Sequence, residues 1–144
     1  MNFSIISTNA DFIEILIFED KNSIQPKLIY RLDEKFKSGP YWHAEIEGLT
    51  ENTFYAYRVH QKDNDINNDY SNKILIDPCA RGIVGWDNYK RENSVASGNN
   101  LNYALKSVVC ERDKFNFENY PRPKHSWEDL KKIKKKIEDL NIKI

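Results

Sequence analysis

The chain has little cysteine, glycine or proline. Cys79 and Cys110 are the only two cysteines in 144 residues. They form no CxxC pair, so no zinc-ribbon or thioredoxin-type motif is available. They either close one disulfide or stand as two free thiols in a reducing compartment, and the second reading is preferred. Glycine and proline number 5 each, which excludes collagen-like and low-complexity chains. The sequence has no net charge, with 22 Lys+Arg against 22 Asp+Glu. It therefore lacks the global field that nucleic acid or an anionic membrane would need, and neither is expected as a partner. No apolar run approaches the ~18 residues of a membrane span. The longest, Ile13–Phe18, is broken by Glu14. The opening Met1-Asn2-Phe3-Ser4 has no basic region leading into an apolar one. A cytoplasmic location is expected. There is no Gly-rich phosphate loop and no GxSxG, and no cofactor is expected.

What is present is a globular composition, with 40% hydrophobic, 31% charged and 12% aromatic residues. That is enough apolar mass to offset chain entropy. The length fits one domain and cannot hold a (β/α)₈ barrel, which needs roughly 250 residues.

The patterning reads as strands. Asn2–Ser7 is short and apolar-rich. Phe12–Phe18 is apolar on both faces, the pattern of a central strand covered on each side. Lys27–Leu32, Tyr41–Glu47 and Thr53–Gln61 alternate, with turn signals between them at Pro26, Gly39-Pro40 and Gly48–Asn52. Lys73–Asp77 reads as a sixth strand stopped by Pro78, and Tyr103–Cys110 as a seventh. Short strands with regular turn signals predict a mainly β, antiparallel sandwich over residues 1–110. Residues 111–125 are aromatic and Pro-rich and read as an extended linker.

Residues 126–144 read as a C-terminal helix. Ser126 and Asp129 stand at capping-box spacing. Leu130, Ile133, Ile137, Leu140 and Ile144 then follow a heptad seam. Two heptads are too few for an independent coiled coil. Such a helix packs its stripe on the sandwich or pairs with a partner. Its lysine run, Lys131 to Lys136, reads as a solvated face.

Candidate chemistry is sparse. His43, His60 and His125 are far apart in sequence, and His43 and His60 fall on strands that could pair as a hairpin. Two histidines do not make a zinc site, and no metal is expected. No pair of carboxylates is marked for glycoside chemistry. Aromatics are more informative, because their flat apolar faces with polar edges suit the C–H faces of sugars. Trp42, Tyr55 and Tyr57 alternate as core residues do. Trp86 and Tyr89 fall in a loop-like stretch and suit an exposed surface, or one that covers a partner domain. Trp42, Trp86 and Tyr89 are the candidate carbohydrate contacts.

Specific words in the sequence resemble a known family. Asn2-Phe3-Ser4-Ile5-Ile6-Ser7-Thr8-Asn9-Ala10 with Ile15-Leu16-Ile17-Phe18 is similar to the opening strand pair of isoamylases and bacterial glycogen debranching enzymes. Tyr41-Trp42-His43, Gly48-Leu49 and Tyr55-Ala56-Tyr57-Arg58-Val59-His60 resemble their W-H … P-G … Y-G-Y-R-V-H-G signature. Asn72-Lys73-Ile74-Leu75-Ile76-Asp77-Pro78-Cys79-Ala80-Arg81 resembles their N-K-L-L-L-D-P-Y-A. Ser107-Val108-Val109, Phe115-Asn116-Phe117, Pro121-Arg122-Pro123 and Trp127 resemble the lead-in to their catalytic barrel. Gln61 stands where the family has Gly, and the likeness stops after Asp129.

The resemblance implies an immunoglobulin-like early-set sandwich of the carbohydrate-binding module family 48 type. It implies a non-catalytic module of an enzyme that cleaves α-1,6 branches of glycogen or starch. The family's catalytic carboxylates lie in a barrel this sequence does not contain. Truncation, or a gene that kept only the module, would give this pattern. The implied partner is an α-glucan. The alternative is an interaction domain without sugar binding, packed on a catalytic barrel or on itself through Trp86–Pro123. Tyr57, Arg58, His60, Asp77 and Pro78 carry the family words and are expected to be structural.

Overall fold

A computed structural model describes residues 1–61, 70–110 and 126–139. The chain divides into two compact units, Met1–Glu111 and Arg112–Ile144. The expected linker at 111–125 lies outside the described residues.

The first unit holds two antiparallel sheets. One has the order β1-β5-β4, from β1 (Asn2–Ile6), β5 (Tyr41–Glu45) and the two-residue β4 (Lys37–Ser38). The other has the order β3-β2-β6-β8-β7. It is built from β2 (Phe12–Phe18), β3 (Leu28–Leu32), β6 (Phe54–His60), β7 (Gly82–Val84) and β8 (Lys106–Val108). This is the predicted sandwich. The alternation explains the layering. Ile13, Ile15 and Ile17 of β2 meet Tyr55 and Tyr57 of β6 on one face, in register Ile15↔Tyr57 and Ile17↔Tyr55. Phe3, Trp42, Ala44 and Ile46 close the same core. The other face of β2 is covered too, as its two-sided pattern predicts. Leu16 and Phe18 are buried with Ala56 and Ile74, flanked by Leu101 and Ala104.

Three expectations are corrected. His43 and His60 do not share a hairpin: β5 pairs with β1 and β4, while β6 crosses to the other sheet and pairs with β2 and β8. The tract Gly48–Asn52 is thus an inter-sheet connection. Lys73–Asp77 is not a strand but makes a single bridge, Tyr57↔Leu75. On the edge facing β6 the Leu75 N–H and carbonyl bond Tyr57, but the next donor, the Asp77 N–H, goes to Ser107 Oγ at 2.8 Å and the ladder stops. On the opposite edge the Asn100 side chain accepts from the Ile74 N–H at 2.8 Å and donates to the Ile74 carbonyl at 3.0 Å. The seventh strand shrinks to Lys106–Val108, and its partner β7 was not predicted, being three residues beside Gly85. One helical turn, α1 (Glu92–Val95), was also missed.

The second unit contains α2 (Trp127–Asp139). Its start is the predicted capping box. The Asp129 N–H donates to Ser126 Oγ at 3.2 Å, and Asp129 Oδ2 accepts from the Ser126 N–H at 2.9 Å. Trp127, Leu130 and Ile133 are exposed within it, while Leu140 and Ile144 lie outside the described residues.

Candidate functional site

Trp42 is not an exposed platform. It is 1% exposed, and its indole N–H donates to the Ser7 carbonyl at 3.0 Å. Both the flat face and the polar tip are used inside the sandwich, so nothing remains for a sugar. Trp86 is the opposite case, at 64% exposed. Tyr89, at 37%, meets it edge-to-face with ring centroids 5.9 Å apart.

Local backbone chemistry places this pair. β7 ends at Val84, and Gly85 follows with φ of +98°, a conformation that side-chain-bearing residues rarely adopt. The chain turns there, with the Asn88 N–H bonded to the Gly85 carbonyl at 3.2 Å. Asp87 pairs with Lys21 at 3.9 Å across solvent. Beside them, Lys90 lies over the Tyr103 ring at 4.9 Å. Tyr89, Lys90 and Tyr103 also line a cleft of about 180 Å³ with Leu75 and Ile76. The result is a short aromatic strip in which Trp86 and Tyr89 are exposed, Tyr103 is half-buried under Lys90, and charged groups stand alongside.

Two buried lysines hold this region, and sequence reading assigned neither a role. Lys73, 3% exposed, donates to the carbonyls of Asn93 and Ala96, which fixes the loop after α1. Lys106 donates to the Lys21 carbonyl at 3.0 Å and lies over the Phe18 ring at 4.8 Å. Burial pushes its amine below the usual lysine range, against the opposing pull of Asp20. A lysine leading directly into an apolar run, as Lys73 does before Ile74-Leu75-Ile76, was the available signal.

Most residues of the family words make contacts within the sandwich. Tyr57 is fully buried. Burial first, then the charges at Asp77 and Cys79, push its hydroxyl up in pKa. Asp77 accepts from the Tyr55 hydroxyl at 2.7 Å and from the Cys79 N–H at 2.8 Å. Its own N–H donates to Ser107 Oγ at 2.8 Å. Pro78 is exposed in the turn that follows. Arg58 and His60 meet on one carboxylate: Arg58 Nε donates to Glu14 Oε2 at 2.7 Å, and His60 Nε2 lies 2.9 Å from the same oxygen. His60 stacks on Phe12 at 4.1 Å, and the Arg31 guanidinium lies 3.6 Å from that ring's centroid. Burial raises the Glu14 pKa, but the bonds and charges of Arg58 and His60 outweigh it and hold the group below the usual carboxylate range. His43 is elsewhere, 2.9 Å from Ser38 Oγ. Among the described residues no cluster of His, Cys, Asp and Glu could hold a metal ion. No helix there is long and apolar enough to cross a membrane.

Two antiparallel sheets of short strands closed on a common core form an immunoglobulin-like sandwich. Residues 1–80 match the carbohydrate-binding module 48 family, the isoamylase N-terminal domain, and the chain belongs to that family. It is 29% identical over 134 residues to the glycogen debranching enzyme of Cronobacter sakazakii, covering 88% of this chain and 19% of that one. It is 31% identical over 135 residues to the glycogen debranching enzyme of Erwinia tasmaniensis, covering 88% and 20%. The chain thus spans about a fifth of the curated relatives it matches. Among solved structures, the catalytic module of the glycogen-degrading pneumococcal virulence factor SpuA superposes with a TM-score of 0.58 at 14% identity, over 87% of this chain and 17% of that one. The pullulanase SAP, solved with maltotetraose, gives 0.58 at 14%, over 87% and 15%. At that identity the likeness is one of fold.

Proposed function

We propose that this chain is a non-catalytic, α-glucan-binding module of the glycogen debranching type, and that Trp86 and Tyr89 form its sugar contact. The observation that carries this is the exposed Trp86–Tyr89 pair on a module of this family. The two rings, with planes 75° apart, offer one stacking plane and one flanking wall to a glucose unit, and Asp87, paired with Lys21, and Lys90 are the charged groups next to them in the chain. Glu14 is bonded by Arg58 and His60, and Asp77 by Tyr55, as parts of the sandwich. Hydrolysis is assigned to a catalytic barrel, because the family the chain belongs to is the isoamylase N-terminal domain. Two free cysteines favour a cytoplasmic setting.

Affinity electrophoresis in gels with and without glycogen or amylopectin tests the reading. The wild-type chain is expected to be retarded, and Trp86→Ala to migrate freely while keeping its fold. Unretarded wild-type chain would sink glucan binding. It would leave the second role, packing of the Trp86 surface on a barrel or on another copy, for light scattering to examine. The 111–123 part of that surface lies outside the described residues.

A further inference from the structure

We infer that Cys79 and Cys110 form a reversible redox pair, an oxidant-responsive modification site on the sandwich that is separate from the aromatic strip. Both thiols are free and exposed, and both line one cleft of about 270 Å³ with Tyr55, Asp77 and the start of β1. They are 31 positions apart in sequence and are brought together by the fold. Cys110 follows β8, where Val108 pairs with Gly82 of β7. Its sulfur packs so close to Gly82 that a β-carbon added there would lie 2.6 Å from it. Cys79 stands three residues before Gly82, so its α-carbon is at most about 11 Å from that of Gly82. It occupies the Asp77–Ala80 turn, closed by the Ala80 N–H to Asp77 carbonyl bond at 3.0 Å. A disulfide needs α-carbons roughly 4.4–6.8 Å apart. Carrying the Gly82↔Val108 register on by two residues would set Cys110 opposite Ala80, the neighbour of Cys79, so a small adjustment of this exposed turn brings the two together.

The oxidant is a small-molecule disulfide. One protein thiolate attacks it, forming a mixed disulfide and releasing one small thiol. The second protein thiolate then displaces the other small thiol and closes the Cys79–Cys110 bond. Two protein thiols are oxidised, and one small disulfide is reduced to two thiols. The bond closes a loop of about 30 residues and ties the Asp77–Ala80 turn to the end of β8. It falls at the boundary of the first unit, one residue before Glu111. An exposed disulfide of this kind is easily reduced, which suits a switch better than a permanent staple.

The test is incubation with oxidised glutathione followed by intact-mass measurement and a non-reducing tryptic map. The expected product is a monomer lighter by two hydrogens, with peptides 74–81 and 107–112 joined. Its thermal midpoint should rise by a few degrees and return after dithiothreitol. Cys79→Ser and Cys110→Ser should each stop at one stable glutathione adduct, with no rise. A wild-type product carrying two stable adducts, a disulfide-linked dimer, or unreacted thiols would overturn the pairing.

Discussion

The two tryptophans Trp42 and Trp86 show how one side-chain type serves opposite ends. Trp42 alternates with Ala44 on a paired strand, so the pleat delivers its whole ring to the core. Trp86 follows Gly85, where the ladder has ended and the backbone turns away. The difference lies in the backbone around each ring. A ring at period two between paired strands is packing material. A ring one residue past a left-handed glycine is a surface feature.

The largest test of that contrast is Trp42→Ala. It should cost about 3–5 kcal/mol, because the site is enclosed and cannot collapse onto the cavity. Chemical denaturation measures this, and a loss under ~1 kcal/mol would place Trp42 outside the core. Next is Asn100→Ala, which orphans the Ile74 N–H and carbonyl and should cost about 2 kcal/mol. Unchanged stability would count against the Asn100–Ile74 bonds as the support of this segment.

A smaller effect is expected at Glu14, which lies between core and surface. Its folded pKa is depressed, so the folded state binds fewer protons than the unfolded chain. Its stabilisation is present above the ordinary glutamate value of about 4.3 and is lost as pH falls through the lower folded value. Removing it by Glu14→Gln should cost about 1 kcal/mol near neutrality, after allowing for solvent screening. The stability curve of the variant should be flatter across that window. Equal acid sensitivity in both proteins would count against the Arg58–Glu14–His60 cluster. Trp86→Ala should change stability least, by under ~0.5 kcal/mol, and yet abolish retention by glucan. A large destabilisation there would erase the distinction between the two rings.

Much of this was legible because alternation is a local signal. Phe12–Phe18 announced a doubly covered strand, and Tyr55 and Tyr57 announced their buried face. Ser126 and Asp129 announced the helix start. The failures were non-local. Nothing near Ile74 shows that Asn100, 26 residues away, bonds its backbone. Nothing in Lys73 shows that its amine finds the carbonyls of Asn93 and Ala96. β7 is too short for a period to be counted, and Gly82 gives it no side chain to alternate. At the candidate site, the exposure of Trp86 and Tyr89 was readable from their loop-like surroundings, but the core position of Trp42 was only one of two readings.

The sequence by itself determined the class of fold, the burial side of each long strand and the family, since period-two patterning and fixed words are properties of contiguous residues. Tertiary structure alone decided which strands share a sheet, that Arg58 and His60 meet on Glu14, and that Cys79 and Cys110 open on one cleft. Those are contacts between distant residues. Their energies depend on distances set only when the two sheets close on a common core, and no local pattern encodes them.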